Sequence, residues 1–142
     1  MARDLLDVNV WLALAHPGHT HHAAAKHYWQ HSTQSMVFCR TTMQGFFRLV
    51  TQAAVMGAAV HTAGEAWMIY SAHLASGRVQ FAAEPASIEV QMRSLTLRDG
   101  FEQRDWTDAY LASFAMTAAC RMVSFDKGFT QYEGLQFLQL ER

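Results

Sequence analysis

Four short apolar runs punctuate the chain, each too short to be a helix: Leu5-Leu6, Met36-Val37-Phe38, Val79-Gln80-Phe81 and Met122-Val123-Ser124-Phe125. The longer segments between them carry apolar residues at helical spacing. Short buried strands alternating with helices need a parallel sheet covered on both faces, because each parallel crossover lays a helix on the sheet. The first strand is read over Asp4-Leu5-Leu6-Asp7-Val8, the second over Ser35–Cys39, the third over Val79–Phe81 and the fourth over Met122–Phe125, with Leu135–Leu138 as a possible fifth. Helices are predicted from Asn9 to Ala15, from a Thr20 cap to His31, from Thr41 or Thr42 through Val50, over Thr62–Ser76, over Ser87–Leu97 and from Asp108 to Ala119 behind a Thr107 cap. Gly77 stops the fourth of these. No repeat or Pro/Gly-rich linker divides the sequence. Residues 1–142 are therefore expected to form one domain, large enough to fill a core unaided.

Ligands of such sheets bind beyond the C-terminal strand ends. Asp7 ends the first predicted strand and Asp126 the fourth, while Asp108 opens the helix between the third and fourth. Any one of these acids could be only a helix cap or turn residue. Three gathered at one rim repel each other and call for a cation. Hard carboxylate oxygens suit magnesium or manganese, which keep several waters and use one or two carboxylates beside a substrate phosphate. Such an ion activates water and stabilises charge on a scissile phosphate. Asp7 and Asp108 are the expected main ligands, with Asp126 orienting the water. Asn9, two residues past Asp7, could position phosphate or merely cap a helix.

Charge distribution bears on the substrate. The net charge is −1, so no bulk positive field announces a nucleic acid. Val8 to Gly64 nevertheless holds no acid, whereas Lys26, Arg40, Arg48 and most histidines fall there. Arg40 and Arg48 are candidate RNA-phosphate contacts, since guanidinium offers paired donors to phosphate oxygens, with solvated helix-face positions as the alternative. His16, His19, His21 and His22 lack the Cys or Glu partners usual for zinc and are placed at the mouth of the site. Cys39 and Cys120 read as buried reduced thiols. Asp4 and Asp7 interrupt what would be a signal peptide, and no apolar run is long enough to span a bilayer. A cytoplasmic protein without membrane contact is expected. Neither G-x-x-x-x-G-K-[ST] nor G-x-G-x-x-G is present, which leaves nucleotide-dependent chemistry without support.

These residues also resemble a known family. Leu5-Leu6-Asp7-Val8-Asn9-Val10-Trp11-Leu12 resembles the opening strand of PIN domains. Thr107-Asp108-Ala109-Tyr110-Leu111 with Ala115 resembles their third acidic motif, and Ser124-Phe125-Asp126-Lys127-Gly128-Phe129 the fourth. Within that family the chain is most similar to VapC-type toxins of bacterial toxin–antitoxin pairs. The resemblance implies a three-layer α/β/α fold and Mg2+- or Mn2+-dependent hydrolysis of RNA. It also implies a homodimer and inhibition by a cognate antitoxin protein. One position departs from the pattern: PIN domains usually carry an acid early in the helix after the second strand, and Gln44 stands there instead. Asp105, three residues before Asp108, could substitute or be a simple cap. The rival reading is a PIN-like module that binds RNA or protein after its site has weakened.

Overall fold

The computed structural model describes residues 2–141. Five strands, β1 (Arg3–Leu6), β2 (Ser35–Phe38), β3 (Val79–Phe81), β4 (Cys120–Ser124) and β5 (Phe137–Gln139), form one sheet in the order β3-β2-β1-β4-β5. Every pairing is parallel, as the alternation of apolar runs and helices requires. Central β1 aligns Leu5 with Val37 on one side and Met122 on the other.

Side chains alternate across the strands, and the alternation sorts the core into two halves. Leu5, Val37 and Met122 face α6 (Ile88–Thr96) and α7 (Trp106–Thr117), where Leu95, Leu111 and Phe114 meet them. Leu6, Met36, Phe38 and Val123 face the other way. They pack against α1 (Val8–Ala15), α2 (His22–His31), α3 (Arg40–Val50) and α5 (Ala63–Ala75). Trp11 stacks on Phe38 in this second half, with ring centroids 3.8 Å apart. The result is a three-layer α/β/α arrangement. Cys39 and Cys120 are free and buried.

Helix starts differ from the expected ones, each for a local reason. Asp7, not Asn9, caps α1: its Oδ1 accepts the Val8 N–H at 2.8 Å. Asn9 falls inside the first turn. His21 rather than Thr20 precedes α2 and offers no side-chain cap. Cys39 stands at the start of α3, and Thr42 is drawn into the first turn, where its Oγ1 accepts the Cys39 N–H at 3.0 Å. A 3-10 turn over Gln103–Asp105 feeds directly into α7, so that helix starts at Trp106, ahead of Thr107. It ends at Thr117, and Ala119 adopts a left-handed conformation with φ of 55°. Short α4 (Ala53–Met56) has no side-chain cap and was not legible in the sequence. Thr62 does cap α5, in a reciprocal box with Glu65.

At the N-terminal end of the strands, fully buried Asp4 receives Arg121 Nε at 2.9 Å, Arg121 Nη2 at 2.8 Å and the Tyr28 hydroxyl at 2.5 Å. These bonds tie β1, β4 and α2 together. At the opposite end, α1 and α3 approach so closely that a Cβ on Gly45 would lie 2.7 Å from Val8 Cγ2.

Candidate active site

Asp7 and Asp126 emerge just past the C-terminal ends of β1 and β4, which are neighbours in the sheet. Chain order reverses between these strands: β1 to β3 builds the sheet one way, β4 and β5 the other. Such a reversal opens a crevice at the strand ends. α7 starts over the same rim and carries Asp108 in its first turn.

Ser124, the last residue of β4 and fully buried, organises the rim. Its Oγ donates to Asp7 Oδ2 at 2.7 Å and accepts from the Asp126 N–H at 2.9 Å and from Asn9 Nδ2 at 3.1 Å. Asn9 Oδ1 in turn accepts the Phe125 N–H at 3.4 Å, and Asp126 Oδ1 accepts the Gly128 N–H at 2.8 Å. The Asp7 carboxylate is thus held by the strand residue Ser124, and the Asp126 carboxylate by the turn that follows it. Nothing in the motif Ser124-Phe125-Asp126 alone assigns Ser124 this role. The available signal is a hydroxyl at the end of an apolar run, two residues before an acid.

Burial pushes the Asp7 carboxyl up, against the hydrogen bonds from Ser124 and Val8, and the charge of Asp126 adds to the rise. Asp108 is pushed up to about 6, first by burial and then by the charges of Asp7, Asp126 and Asp105. The structure therefore brings Asp7, Asp108 and Asp126 within electrostatic reach of one another, with Asp105 at the edge. Among the described residues no Lys or Arg pairs with Asp7, Asp108 or Asp126, and Asp108 accepts no hydrogen bond. Asp105 lies 4.0 Å from Arg104 Nε, which sits closer to Glu102 at 3.1 Å. Charged oxygens without a compensating cation are the feature of this rim that asks for a metal.

The fit to a metal is a particular one. Among the described residues no three His, Cys, Asp or Glu side chains close into a complete ligand set. The oxygens present match a hard ion that retains most of its waters and takes one or two carboxylates, not a closed cage. Gln44 is exposed on α3, one residue from the Gly45–Val8 contact beside Asp7. Arg40 lies over the Phe81 ring, 4.4 Å from its centroid, with Nη1 3.2 Å from Met43 Sδ, and Arg48 is exposed in the last turn of α3. Neither arginine bonds to the acid cluster. The histidine loop reaches the rim through His21, which stacks on Phe125 with centroids 4.3 Å apart. His19 is held below its ordinary pKa, mainly by burial and then by its neighbours His21, His16 and His22.

Comparisons with known proteins bear on the family and the fold. The family model of the PIN domain matches residues 5–135. Ribonuclease VapC41 of Mycobacterium tuberculosis is 40% identical, over 97% of this chain and 99% of its own. The crystal structure of Mycobacterium tuberculosis VapC20, a Sarcin-Ricin loop cleaving toxin, superposes with a TM-score of 0.66 at 18% identity, covering 90% of this chain and 93% of that one. VapBC2 from Rickettsia felis, solved bound to a DNA fragment from its promoter, superposes with a TM-score of 0.70 at 10% identity, covering 98% and 99%. These last two bear on the fold alone.

Proposed function

Given that this chain belongs to the PIN-domain family, we propose that it is a metal-dependent endoribonuclease, the toxin of a toxin–antitoxin pair. One observation carries the reading. Asp7, Asp108 and Asp126 act on one another electrostatically at a strand-end crevice where, among the described residues, no Lys or Arg pairs with them. The ribonuclease relative that matches along 97% of the chain supports the same reaction class.

In this reading Asp7 and Asp108 would hold Mg2+ or Mn2+, which when bound would activate water and offset charge on the scissile phosphate. Asp126 would orient water by accepting a hydrogen bond from it. Ser124 donates to Asp7 Oδ2 at 2.7 Å and the Val8 N–H donates to Asp7 Oδ1, so both oxygens of that carboxylate are held in place. Asn9 braces Ser124 and the Phe125 backbone, so its role is to hold the rim in place. Asp105 supplies a further negative charge beside Asp108. Arg40 and Arg48, both on α3, are the proposed RNA-phosphate contacts. The whole chain acts as one catalytic domain, pairs with a second copy, is inhibited by a cognate antitoxin protein and works in the cytoplasm. Among the described residues, no helix is long and apolar enough to cross a membrane.

The neutral Gln44 favours a second reading, a binding module with a weakened site. One experiment separates the two. The purified chain is incubated with labelled RNA in Mg2+, in Mn2+ and in EDTA, beside Asp7→Asn. Metal-dependent cleavage that Asp7→Asn abolishes is the expected result. Equal cleavage by the variant, or equal cleavage in EDTA, would defeat the metal-site reading, and absence of cleavage in either metal would leave the binding module.

A further inference from the structure

Trp106 opens α7 with its indole 53% exposed, two residues ahead of Asp108. The Phe101 ring meets it at 72° with centroids 4.8 Å apart, which steadies the indole and leaves it open to solvent. Trp106 and Tyr110 are one helical turn apart and share a face of α7. With Met92 and Leu97, from α6 and its C-cap, they wall a groove of about 480 Å3, a volume typical of small-ligand sites. Asp105 and Asp108, three residues apart, lie on a different face, so the first turn of α7 parts the acid rim from this groove. The groove also has acids of its own. Glu84 follows β3 at the C-terminal end of the sheet, and its Oε1 accepts from the Tyr110 hydroxyl at 2.7 Å. Its Oε2 and the Glu89 carboxylate have no donor or ion pair among the described residues. Carboxylates repel phosphate and accept from amino groups, so a nucleotide would place its base here and not its backbone. Cations for the backbone flank the groove: Arg93 on its wall, and Arg40 over Phe81, the last residue of β3.

We propose that the α6–α7 groove is a nucleobase subsite, in which Trp106 stacks on an unpaired RNA base while Glu84 and Glu89 accept hydrogen bonds from its amino group. The inference rests on the ribonuclease reading given above and gives it a substrate class. That class is single-stranded RNA with cytosine, adenine or guanine near the cut, since each carries an exocyclic amino group. Uracil carries none and is disfavoured. Stacking tolerates any base, because every base has a π-face, so the preference comes from the two carboxylates. A helix is about 10–12 Å across with its side chains. A strand crossing the start of α7 therefore sets a base in the groove while a nearby phosphate lies at Asp108.

Short labelled RNAs test this by fluorescence anisotropy in EDTA at low salt, where no metal-dependent cleavage competes. One RNA is all uridine, and the others replace a central uridine by cytidine, adenosine or guanosine. Wild type is expected to bind the three amino-bearing RNAs more tightly than the all-uridine one. Trp106→Ala should weaken binding at least about fivefold, as loss of a base–aromatic stack does, whereas Trp106→Phe keeps a ring and should retain most of the affinity. Glu84→Gln, whose amide both donates and accepts, should narrow the difference between the RNAs. Trp106→Ala affinity within twofold of wild type on every RNA would overturn the proposal. An unchanged base preference in Glu84→Gln would overturn it too, and that variant carries the test if Trp106→Ala fails to fold. Loss of the dimer in Trp106→Ala, with RNA affinity kept, would give the groove to a protein partner and reject the subsite. If wild type cleaves RNA in Mg2+ and Trp106→Ala binds RNA as wild type does, this inference falls alone. If wild type neither binds nor cleaves RNA, the ribonuclease reading falls and takes the subsite with it.

Discussion

Ser124 makes three hydrogen bonds from one buried oxygen, and each reaches a different part of the rim. Ser124→Ala leaves Asn9 Nδ2 and the Asp126 N–H without that acceptor and frees Asp7 Oδ2. A stability loss of about 1–3 kcal/mol in urea unfolding is expected, with RNA cleavage reduced more than a loss of folded protein accounts for. Asp108 behaves in the opposite sense. Its folded carboxyl titrates at about 6 against an ordinary 3.8, so between those pH values the folded state binds more protons than the unfolded one. Stability therefore falls as pH rises through that window and stays lower above it. Asp108→Asn removes the penalty. In EDTA at pH 7.5 the variant should be more stable than wild type by about 1–2 kcal/mol, after allowance for solvent screening, and the gain should vanish near pH 3.5. A variant less stable at pH 7.5 would contradict the charge-repulsion account. Gln44→Glu adds a carboxylate beside this rim, and is expected to lower the Mg2+ concentration needed for cleavage. No change, together with damage from Asp105→Asn, would assign that part to Asp105.

At the scale of elements, the α1–α3 contact sets where Asp7 points, because Asp7 caps α1 and Val8 abuts Gly45. Gly45→Ala places a methyl group 2.7 Å from Val8 Cγ2. It should cost about 1–3 kcal/mol through overpacking and disturb cleavage as well. Gly64, exposed near the start of α5, has only Thr62 Oγ1 near its would-be Cβ, at 3.9 Å. Gly64→Ala should stabilise by about 0.4–1 kcal/mol and leave cleavage unchanged, as urea unfolding and an RNA assay would show. The strands were the legible elements. Met36-Val37-Phe38 is an apolar run with clear ends, and burial on both faces leaves it no other place; Val79–Phe81 is marked by its ends, although only Val79 is buried. Helix starts were less legible, since Asn9, Thr20 and Thr107 are good caps by residue type while the backbone turns elsewhere. For the site, Asp7 and Asp126 stood out because strand ends are visible in sequence, and Asp108 because it opens a helix leading to the next strand. Ser124 did not: a hydroxyl gains its meaning only from what lies across the fold, and Ser124 is 117 residues away from Asp7.

For the whole molecule, the two ends of β1 and β4 carry different tasks. Asp4, Arg121 and Tyr28 clamp the strands at the end opposite the acid rim. Arg121→Met strands a buried charge and should cost about 3–5 kcal/mol, whereas the double variant Asp4→Leu/Arg121→Met should recover most of that loss. Equal stability of the single and double variants would show that the pair is not coupled. Trp67 and Met68 on α5 are 52% and 71% exposed, apolar area that suits contact with a second copy. Light scattering at micromolar concentration should give twice 16.0 kDa; a strict monomer would contradict it. The sheet order adds a consequence in time. β1 is translated long before its neighbour β4, which begins only at Cys120. Asp108, Ser124 and Asp126 each follow Asp7 by more than a hundred residues. A growing chain thus carries Asp7 without the strand that completes its surroundings until β4 has been made, and a chain terminated before β4 has no assembled rim. Under the nuclease reading, this order keeps the nascent polypeptide harmless to the message that encodes it until β4 has been made.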